Sequence, residues 1–272
     1  MAEKETPTYT IDDMEQINFY PESLSEKRMH YCPGCTHGIS HRMVAEAIDE
    51  AGLHDLAVGV ASVGCSVFSY DYFHIDFVQS PHGRAPAVAT GIKRVRPECF
   101  VFTYQGDGDL AAIGTSEFIW AAQRGEKITC FFINNGIYGM TGGQMAPTTL
   151  PGWKSTTCPF GRDPKHSGMP IKVAELVASL PGTAYSARTA LNNPANAMKT
   201  KKAIKTAIDY QMKGLGFTLV EILSTCPTNW GMDTVTALKR IENEMIPYFP
   251  LGVYKDVLPE KKADDGKKEG GE

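Results

Sequence analysis

The sequence predicts an α/β fold, a parallel sheet with helices on both faces. Short apolar runs rich in β-branched and aromatic residues recur along the chain, at residues 56–62, 98–104, 127–133, 183–187 and 217–223. Longer segments lie between or beside them and are predicted helices, at residues 37–51, 86–94, 110–124, 171–179 and 195–213. Continuous apolar runs are typical of strands buried on both faces. Their alternation with helices indicates parallel strands joined by helical crossovers.

Several elements carry a local signal. The first helix has a shared apolar face, formed by Met43, Val44, Ala47 and Ile48. Pro86 suits the first turn of the second helix, and Pro97 follows its end. The strands at 98–104 and 127–133 each stop at a run of glycine and polar residues. The predicted sheet therefore has polar sites where two of its strands end.

Three segments lack this alternation. Residues 1–30 are polar and are expected to form an N-terminal arm, and residues 256–272 are expected to be a disordered, charged tail. The domain between them is expected to span residues 31–255. Residues 139–169 are rich in Gly, Pro and Thr, and a loop of that length is usually functional, such as a lid or a partner-binding segment.

Composition limits the kind of protein. The 272 residues are 42% hydrophobic and 21% charged, with a net charge of −4, so there is no basic stripe for nucleic acid. No apolar run approaches the roughly 20 residues needed to cross a membrane. The polar start is unlike a signal peptide. A cytoplasmic protein without nucleic-acid or membrane partners is expected.

The most informative motif is Gly-Asp-Gly-Asp at residues 106–109, with Asn135 at the end of the next strand. Ligands of open α/β sheets bind at the carboxyl ends of the strands. A carboxylate and an amide oxygen at that edge suit Mg²⁺, which commonly carries a phosphate. We therefore predict a Mg²⁺ and phosphate site that includes Asp107 and Asn135.

Two other interpretations of this motif compete. Residues 106–111 formally match the dinucleotide-binding pattern G-x-G-x-x-A. In that site backbone N–H groups bind pyrophosphate directly, so Asp107 and Asp109 would place two carboxylates against the anion. The next strand also ends in asparagines and not in the acidic residue that binds a ribose. A chance pairing of two turn-forming sequences is the second alternative.

Seven cysteines require an explanation other than disulfides if the protein is cytoplasmic. Cys99 and Cys130 lie in strand-like runs and are expected to be small buried hydrophobic residues. Cys158 has no assigned role. The other four combine a C-x-x-C pair with two single residues at predicted strand ends, and they are Cys32, Cys35, Cys65 and Cys226.

Four thiolates suit zinc and an iron–sulfur cluster equally well as ligands. Zinc usually binds two close pairs, whereas here one pair joins two distant single cysteines. Pro227 directly follows Cys226, as in ferredoxin-type sequences. The spacing slightly favours an iron–sulfur cluster.

A further motif, His-Gly-Arg-Ala at 82–85, precedes a helix, where a phosphate or carboxylate could bind. Arg84 could equally be an ordinary surface residue.

Taken together, six stretches between Tyr31 and Trp230 resemble the β subunit of the 2-oxoacid:ferredoxin oxidoreductases, which carries thiamine diphosphate. They are Tyr-Cys-Pro-Gly-Cys (31–35), Val-Gly-Cys-Ser (63–66), His-Gly-Arg-Ala (82–85), Gly-Asp-Gly-Asp-Leu (106–110), Asn-Asn-Gly-Ile-Tyr-Gly-Met-Thr-Gly-Gly-Gln (134–144) and Cys-Pro (226–227). The resemblance implies the fold that binds the diphosphate half of this cofactor.

The resemblance also implies ligands for individual positions. Cys32, Cys35, Cys65 and Cys226 match the ligands of one [4Fe–4S] cluster. Asp107 and Asn135 match side-chain ligands of Mg²⁺, and Ile137 matches a backbone carbonyl ligand. The positions that line thiamine diphosphate are matched by Val63, Gly64, Cys65, Ser66, His82, Gly83, Arg84, Ala85, Gly108, Asp109, Gly139 and Met140.

The activity that the resemblance implies is oxidative decarboxylation of a 2-oxoacid to acyl-CoA and CO₂, with electrons passing through the cluster to ferredoxin. In that family the ylid-activating glutamate belongs to the α subunit, so no catalytic residue is assigned to this chain. The chain is expected to work only with α, and with γ and δ, subunits. The arm and residues 139–169 are the expected partner contacts.

Substrate preference has one indication in the sequence. Val67 and Phe68 follow Cys65-Ser66, and no nearby Lys or Arg is available to pair with a distal carboxylate. This favours a branched-chain substrate such as 2-oxoisovalerate, with 2-oxoglutarate next. The alternatives are a non-oxidative thiamine diphosphate-dependent decarboxylase or synthase subunit, and a non-catalytic zinc-binding subunit.

Overall fold

Helices and strands alternate through residues 20–258, which are the residues that the computed structural model describes. The strands are β1 (Ala57–Ala61), β2 (Asp76–Gln79), β3 (Phe100–Gly106), β4 (Thr129–Asn134), β5 (Ile137–Tyr138), β6 (Gln144–Met145), β7 (Thr183–Ala190), β8 (Phe217–Leu223) and β9 (Gly252–Asp256). The α-helices are α1 (His37–Glu50), α2 (Ser69–Tyr72), α3 (Ala85–Val95), α4 (Thr115–Arg124), α5 (Pro164–Ser167), α6 (Val173–Ala178), α7 (Pro194–Met212), α8 (Pro227–Trp230), α9 (Thr234–Arg240) and α10 (Ile246–Tyr248).

Seven strands form one sheet, in the order β2-β1-β3-β4-β8-β7-β9. Every neighbouring pair is parallel except β7 and β9, which are antiparallel. Strands β5 and β6 pair with each other as a separate antiparallel ribbon. The predicted parallel sheet is confirmed. The two edge strands, β2 and β9, were not predicted from the sequence.

Helices cover both faces of the sheet because the side chains of each strand point alternately to one face and the other. Helices α1 and α7 pack on one face, where Phe102 and Phe131 meet Val44 and Ile204. On the opposite face the neighbouring strand residues meet α3, α4 and α6, and this second core includes Val101, Cys130, Phe132, Ala89, Phe118 and Val177. Both faces are therefore apolar, which explains the continuous hydrophobic runs in the sequence.

The predicted helix at 110–124 is divided. Residues Asp109–Ile113 form a wide π turn, and α4 begins after Gly114. A Cβ at Gly114 would lie 2.6 Å from the carbonyl oxygens of both Asp109 and Gly83, so glycine permits this close approach. Wide turns of this type often occur at functional sites. Here the turn brings the segment after β3 into close contact with the segment before α3.

The described part of the predicted N-terminal arm packs on this same domain. Ser23 donates its backbone N–H to Asp49 Oδ1 over 3.1 Å, and the buried Leu24 forms a β-bridge with Phe73. Residues 1–19 and 259–272 lie outside the described residues, so the arm, the tail and the domain limits stay predictions. Within residues 20–258, no helix combines the length and the apolar character needed to cross a bilayer.

Truncation of a central core residue should measure how much the sheet depends on its packing. Phe131 on β4 is fully buried, so Phe131→Ala should lower the free energy of unfolding by about 3–5 kcal/mol. Urea denaturation followed by circular dichroism measures the change. The matched control is Val95→Ala, because Val95 is 76% exposed and should change stability by less than about 0.5 kcal/mol. Equal effects of the two changes would contradict the assignment of the core.

Candidate functional site

A cavity of about 190 Å³ opens where β1, β3 and β4 end. This is the sheet edge at which the sequence predicts a site. Its lining includes nine of the twelve predicted cofactor positions and all three predicted Mg²⁺ positions. The lining residues are His37, Val63, Gly64, Cys65, Ser66, His82, Gly106, Asp107, Gly108, Asp109, Ile113, Asn135, Ile137, Tyr138, Gly139, Met140 and Thr141.

Asp107 is a buried carboxylate on the wall of this cavity. Its Oδ1 accepts a hydrogen bond from the Gly108 N–H over 3.0 Å. Its Oδ2 accepts from the Ile137 N–H over 3.1 Å and from the Thr148 hydroxyl over 3.0 Å. Burial nevertheless raises the pKa of Asp107 to about 7, with these donors acting in the opposite direction. A nearby cation would favour the ionised carboxylate.

The two asparagines after β4 have different environments. Asn135 lines the cavity, and its Oδ1 accepts a hydrogen bond from the Ile137 N–H over 3.1 Å. Asn134 points away and donates to Glu221 Oε1 over 2.8 Å. Glu221 is fully buried and forms an ion pair with Arg188 at 3.0 Å. Asn135 is thus the asparagine available to a ligand, and Asn134 belongs to the core.

Asp109 connects three segments around the cavity. Its Oδ1 accepts hydrogen bonds from the Val63 N–H over 3.1 Å and from the Gly83 N–H over 2.8 Å. Its Oδ2 accepts from the Gln105 side-chain amide over 2.7 Å. The Nδ1 atom of His82 lies 2.7 Å from Asp109 Oδ1, without the alignment of a hydrogen bond. This carboxylate therefore fixes the segments that follow β1 and precede α3 to the end of β3.

The His-Gly-Arg-Ala motif contributes one side chain to the cavity, that of His82. Gly83, Arg84 and Ala85 are not among the lining residues. The guanidinium of Arg84 forms an ion pair with Glu117 on α4, and Ala85 is buried at the start of α3. A cofactor contact of these three residues stays a prediction.

The two single cysteines, Cys65 and Cys226, lie together beside the cavity, and the Cys-x-x-Cys turn is attached close to them. Cys65 lines the cavity, and a Cβ added to Gly139 would lie 3.0 Å from Cys65 Sγ and 3.5 Å from Cys226 Sγ. The Cys-x-x-Cys turn is tied to the segment before Cys226, because the Thr225 hydroxyl donates to the Gly34 carbonyl over 2.6 Å. Cys35 follows in that turn. The exposed Cys32 lies at the other end of the turn.

The thiols also affect one another electrostatically. The pKa of Cys65 is raised to about 12, mainly by burial and to a smaller extent by the neighbouring Cys226, Cys35, Asp107 and Cys32. Burial likewise raises the pKa of Cys35 to about 12, with a contribution from Cys226. In the described range, no three His, Cys, Asp or Glu side chains are gathered tightly enough to hold a metal ion.

The remaining cysteines have other environments. Cys99 and Cys130 are buried as expected, and Cys158 is partly exposed. Neither Cys99 nor Cys130 lines the cavity. Cys130 belongs to the apolar core between the sheet and α3, α4 and α6, which agrees with its predicted role as a small hydrophobic residue.

The long segment 139–169 is folded around a buried cation that the sequence analysis did not select. Arg162 is 5% exposed and donates only to backbone carbonyls in this region. Its acceptors are the carbonyl oxygens of Ala146, Pro147, Thr149, Ser167 and Gly168, at 2.8–3.2 Å. This arrangement places Thr148 against Asp107 and lets the Thr149 hydroxyl donate to the Gly136 carbonyl over 2.6 Å.

Comparison with known proteins defines the class. The model of a family described as thiamine pyrophosphate enzyme, C-terminal TPP binding domain, matches residues 59–222, which include every residue of the cavity lining except His37. The 2-oxoglutarate:ferredoxin oxidoreductase from Magnetococcus marinus, solved with 2-oxoglutarate, coenzyme A and succinyl-CoA bound, has a similar fold. The TM-score is 0.71 at 26% identity, over 90% of this chain and 87% of that chain.

Two curated relatives refine the class. Ketoisovalerate oxidoreductase subunit VorA of Methanothermobacter thermautotrophicus is 49% identical over 227 residues, covering 84% of this chain and 48% of VorA. This chain thus spans about half the length of VorA. The 2-oxoglutarate synthase subunit KorB of Archaeoglobus fulgidus is 38% identical over 212 residues, covering 78% of this chain and 75% of KorB. The chain therefore belongs to the family of thiamine pyrophosphate-binding β subunits of 2-oxoacid oxidoreductases, and the resemblance found in its motifs is confirmed.

The role of Arg162 can be tested by replacing it. Arg162→Met would leave several buried carbonyl oxygens without a donor and should lower the free energy of unfolding by about 3 kcal/mol or more. Arg162→Lys should recover part of this loss, because an ammonium group cannot reproduce the planar guanidinium geometry. Urea denaturation gives the stability, and limited proteolysis reports on residues 146–168. Lys165→Met, at an exposed neighbouring position, is the control. A stable, protease-resistant Arg162→Met protein would contradict this role.

Proposed function

We propose that this chain binds Mg²⁺ and thiamine diphosphate in the cavity and acts as the β subunit of a 2-oxoacid:ferredoxin oxidoreductase. The complex would convert a 2-oxoacid to acyl-CoA and CO₂ and pass electrons through a [4Fe–4S] cluster to ferredoxin. One observation carries the proposal: Asp107, Asn135 and Ile137 line the same cavity as Cys65. An oxygen-ligand site and a thiol site thus share one wall at the edge of the sheet.

The oxygen atoms that face the cavity suit Mg²⁺ as ligands. Asp107 and Asn135 offer side-chain oxygens, and Ile137 offers a backbone carbonyl, which are the ligand types that this ion binds. Within residues 20–258, the hydrogen-bond donors to the buried Asp107 carboxylate are backbone N–H groups and the Thr148 hydroxyl, and none is a cationic side chain. A bound cation would supply the missing positive charge. The metal would in turn hold the diphosphate group.

Thiamine diphosphate, when bound, supplies the carbon–carbon bond cleavage chemistry that the protein side chains lack. The residues of this chain hold and surround it. Asp109 fixes the segments containing Val63 and Gly83 at the cavity, and His82 lines its mouth. The glutamate that activates the cofactor would come from the α subunit.

The thiols fit an iron–sulfur cluster better than a zinc ion. Buried thiols with raised pKa values, such as those of Cys35 and Cys65, ionise readily only beside a metal. One zinc ion requires all four sulfurs at about 2.3 Å from a single point. A cubane cluster places a different iron at each thiolate and therefore binds four sulfurs that lie further apart. The Sγ atoms of Cys65 and Cys226 lie 3.0 and 3.5 Å from one point at Gly139, so two of the four thiols face the same space.

A partner subunit would cover the mouth of the cavity. Ile113 and Met140 line this mouth, and each is 48% exposed. Away from the cavity lining, Phe160 is 97% exposed in the segment 139–169, which the sequence predicts to contact a partner. Exposed apolar side chains that cluster at a site edge are typical of interaction surfaces. This rim would contact the α subunit of a complex that also contains γ and δ subunits. The complex would lie in the cytoplasm, where the free cysteines would stay reduced.

A branched-chain substrate such as 2-oxoisovalerate is favoured, with 2-oxoglutarate next. No Lys or Arg belongs to the described cavity lining, and Arg84 is occupied by Glu117. Among the described residues that line this cavity, a distal carboxylate would therefore find no cationic partner. The similarity to a ketoisovalerate oxidoreductase subunit supports the same order.

The activity of the whole complex tests the proposed function. The chain purified anaerobically with its partner subunits should contain iron and sulfide and should reduce a viologen dye with 2-oxoisovalerate and CoA. The rate with 2-oxoglutarate should be lower, and the chain without partners should show no turnover. Zinc in place of iron would refute the cluster. Decarboxylation without dye reduction would instead identify a non-oxidative enzyme.

Binding measurements test the Mg²⁺ site separately. Asp107→Asn should weaken Mg²⁺-dependent binding of thiamine diphosphate to the complex by at least about 100-fold, equivalent to about 2.8 kcal/mol. Thr148→Val removes one hydrogen-bond donor that orients Asp107, and it should weaken the same Mg²⁺-dependent binding by about tenfold. Calorimetric titration of each complex with thiamine diphosphate, in the presence of either Mg²⁺ or EDTA, measures both effects. Asp209→Asn, at an exposed position on α7, is the control. Wild-type affinity of the Asp107→Asn complex would eliminate this metal site.

A further inference from the structure

Asn229 on the short helix α8 contacts both halves of the candidate site. Its side-chain Nδ2 donates to Cys226 Sγ over 3.3 Å and to the Gly139 carbonyl over 3.0 Å. The amide group has two hydrogens, so each acceptor can receive its own. One side chain therefore joins a cysteine of the thiol group to a residue that lines the cofactor cavity.

The position of this amide is fixed by its surroundings. Cys226 directly precedes the first turn of α8, which places Asn229 one turn further along and beside the Cys226 sulfur. On its other side, a Cβ at Gly143 would lie 3.1 Å from Asn229 Oδ1. Gly143 has φ of +87°, so both its backbone conformation and its contact with Asn229 favour glycine. Asn229 is thus held between α8 and the segment 139–143.

Hydrogen bonds to a cluster thiolate change the electron affinity of the cluster. Reduction adds one electron and makes the cluster and its thiolates more negative. A donor N–H group stabilises the added charge more than the original charge, so the reduction potential rises. The same donor hydrogen bond also stabilises the negative charge of the thiolate.

We propose that Asn229 is a positioning residue that raises the reduction potential of the cluster through Cys226 and fixes Gly139 at the cofactor cavity. This inference rests on the proposed function, because it requires a cluster on Cys226. The couple is the one-electron reduction of [4Fe–4S]²⁺ to [4Fe–4S]⁺. The amide loses no proton and transfers no electron in this step. It acts only through its two hydrogen bonds.

Two substitutions of similar size remove the donor. Asn229→Leu leaves the sulfur and the carbonyl without the amide, and Asn229→Asp replaces the amide with a carboxylate. The matched control is Thr228→Val on the same helix, because Thr228 is exposed. Each variant would be prepared as the anaerobically purified complex. Titration with dithionite and redox mediators, followed by electron paramagnetic resonance, gives the potential of the cluster.

Both substitutions should lower the reduction potential, and Asn229→Asp should lower it more because it adds negative charge. If Asn229→Leu makes the equilibrium constant for cluster reduction ten times smaller, the reduction potential falls by about 59 mV for this one-electron couple. Thr228→Val should keep the wild-type value. Hydrogen exchange of residues 138–144 provides a second measurement, and it should be faster in both Asn229 variants than in the control.

The outcomes separate this inference from the proposed function. A wild-type complex without an iron–sulfur signal would refute the proposed function itself. If the wild type has the cluster and both variants keep its potential, the inference about Asn229 is wrong. If a variant loses the cluster, the hydrogen exchange of residues 138–144 tests the role of Asn229 instead. Faster exchange than in the control would support the inference, and unchanged exchange would overturn it.

Discussion

The buried carboxylate of Asp107 is the constraint on which the site depends. Burying a carboxylate is costly unless donors or a cation compensate it. The chain supplies donors from three segments, namely Gly108 after β3, Ile137 after β4 and Thr148 in the long loop. The last of these requires an ordered loop, and the order comes from a second buried charge, Arg162, whose guanidinium is satisfied by backbone carbonyls. One charged group therefore sets the conformation of much of the segment 139–169.

The strand order explains how residues far apart in the chain meet. Strands β1, β3, β4 and β8 are consecutive in the sheet and parallel, so their carboxyl ends lie side by side. Cys65 follows β1, Asp107 follows β3, Asn135 follows β4 and Cys226 follows β8. The predicted oxygen ligands Asp107 and Asn135 thus follow strands that lie between those of the two single cysteines. The Cys-x-x-Cys turn, which precedes α1, is attached beside Cys226 through Thr225.

Periodicity and strand ends were enough to predict the central sheet, both core cysteines and the convergence of polar residues on one edge. These features depend on local sequence. The antiparallel edge strand β9 could not be predicted in the same way, because its pairing with β7 depends on a contact across the molecule. Arg162 and Asn229 were missed for a similar reason. Each acts through acceptors distant in sequence or on a loop without periodicity, and an isolated Arg or Asn in a polar segment gives no signal. The π turn at Asp109–Ile113 depends on the approach of Gly83 to Gly114 and is equally non-local.

The two carboxylates of the Gly-Asp-Gly-Asp motif have opposite tasks, although they are two residues apart. Asp109 is saturated by donors from Val63, Gly83 and Gln105 and so holds the walls of the cavity together. Asp107 keeps its pKa raised despite its donors and is the carboxylate that gains most from a cation. A dinucleotide site would require backbone N–H groups at this turn to be free for pyrophosphate. Here the Gly108 N–H group is already occupied by the Asp107 carboxylate. The motif therefore suits an anion held through a metal ion and not one bound directly by the turn.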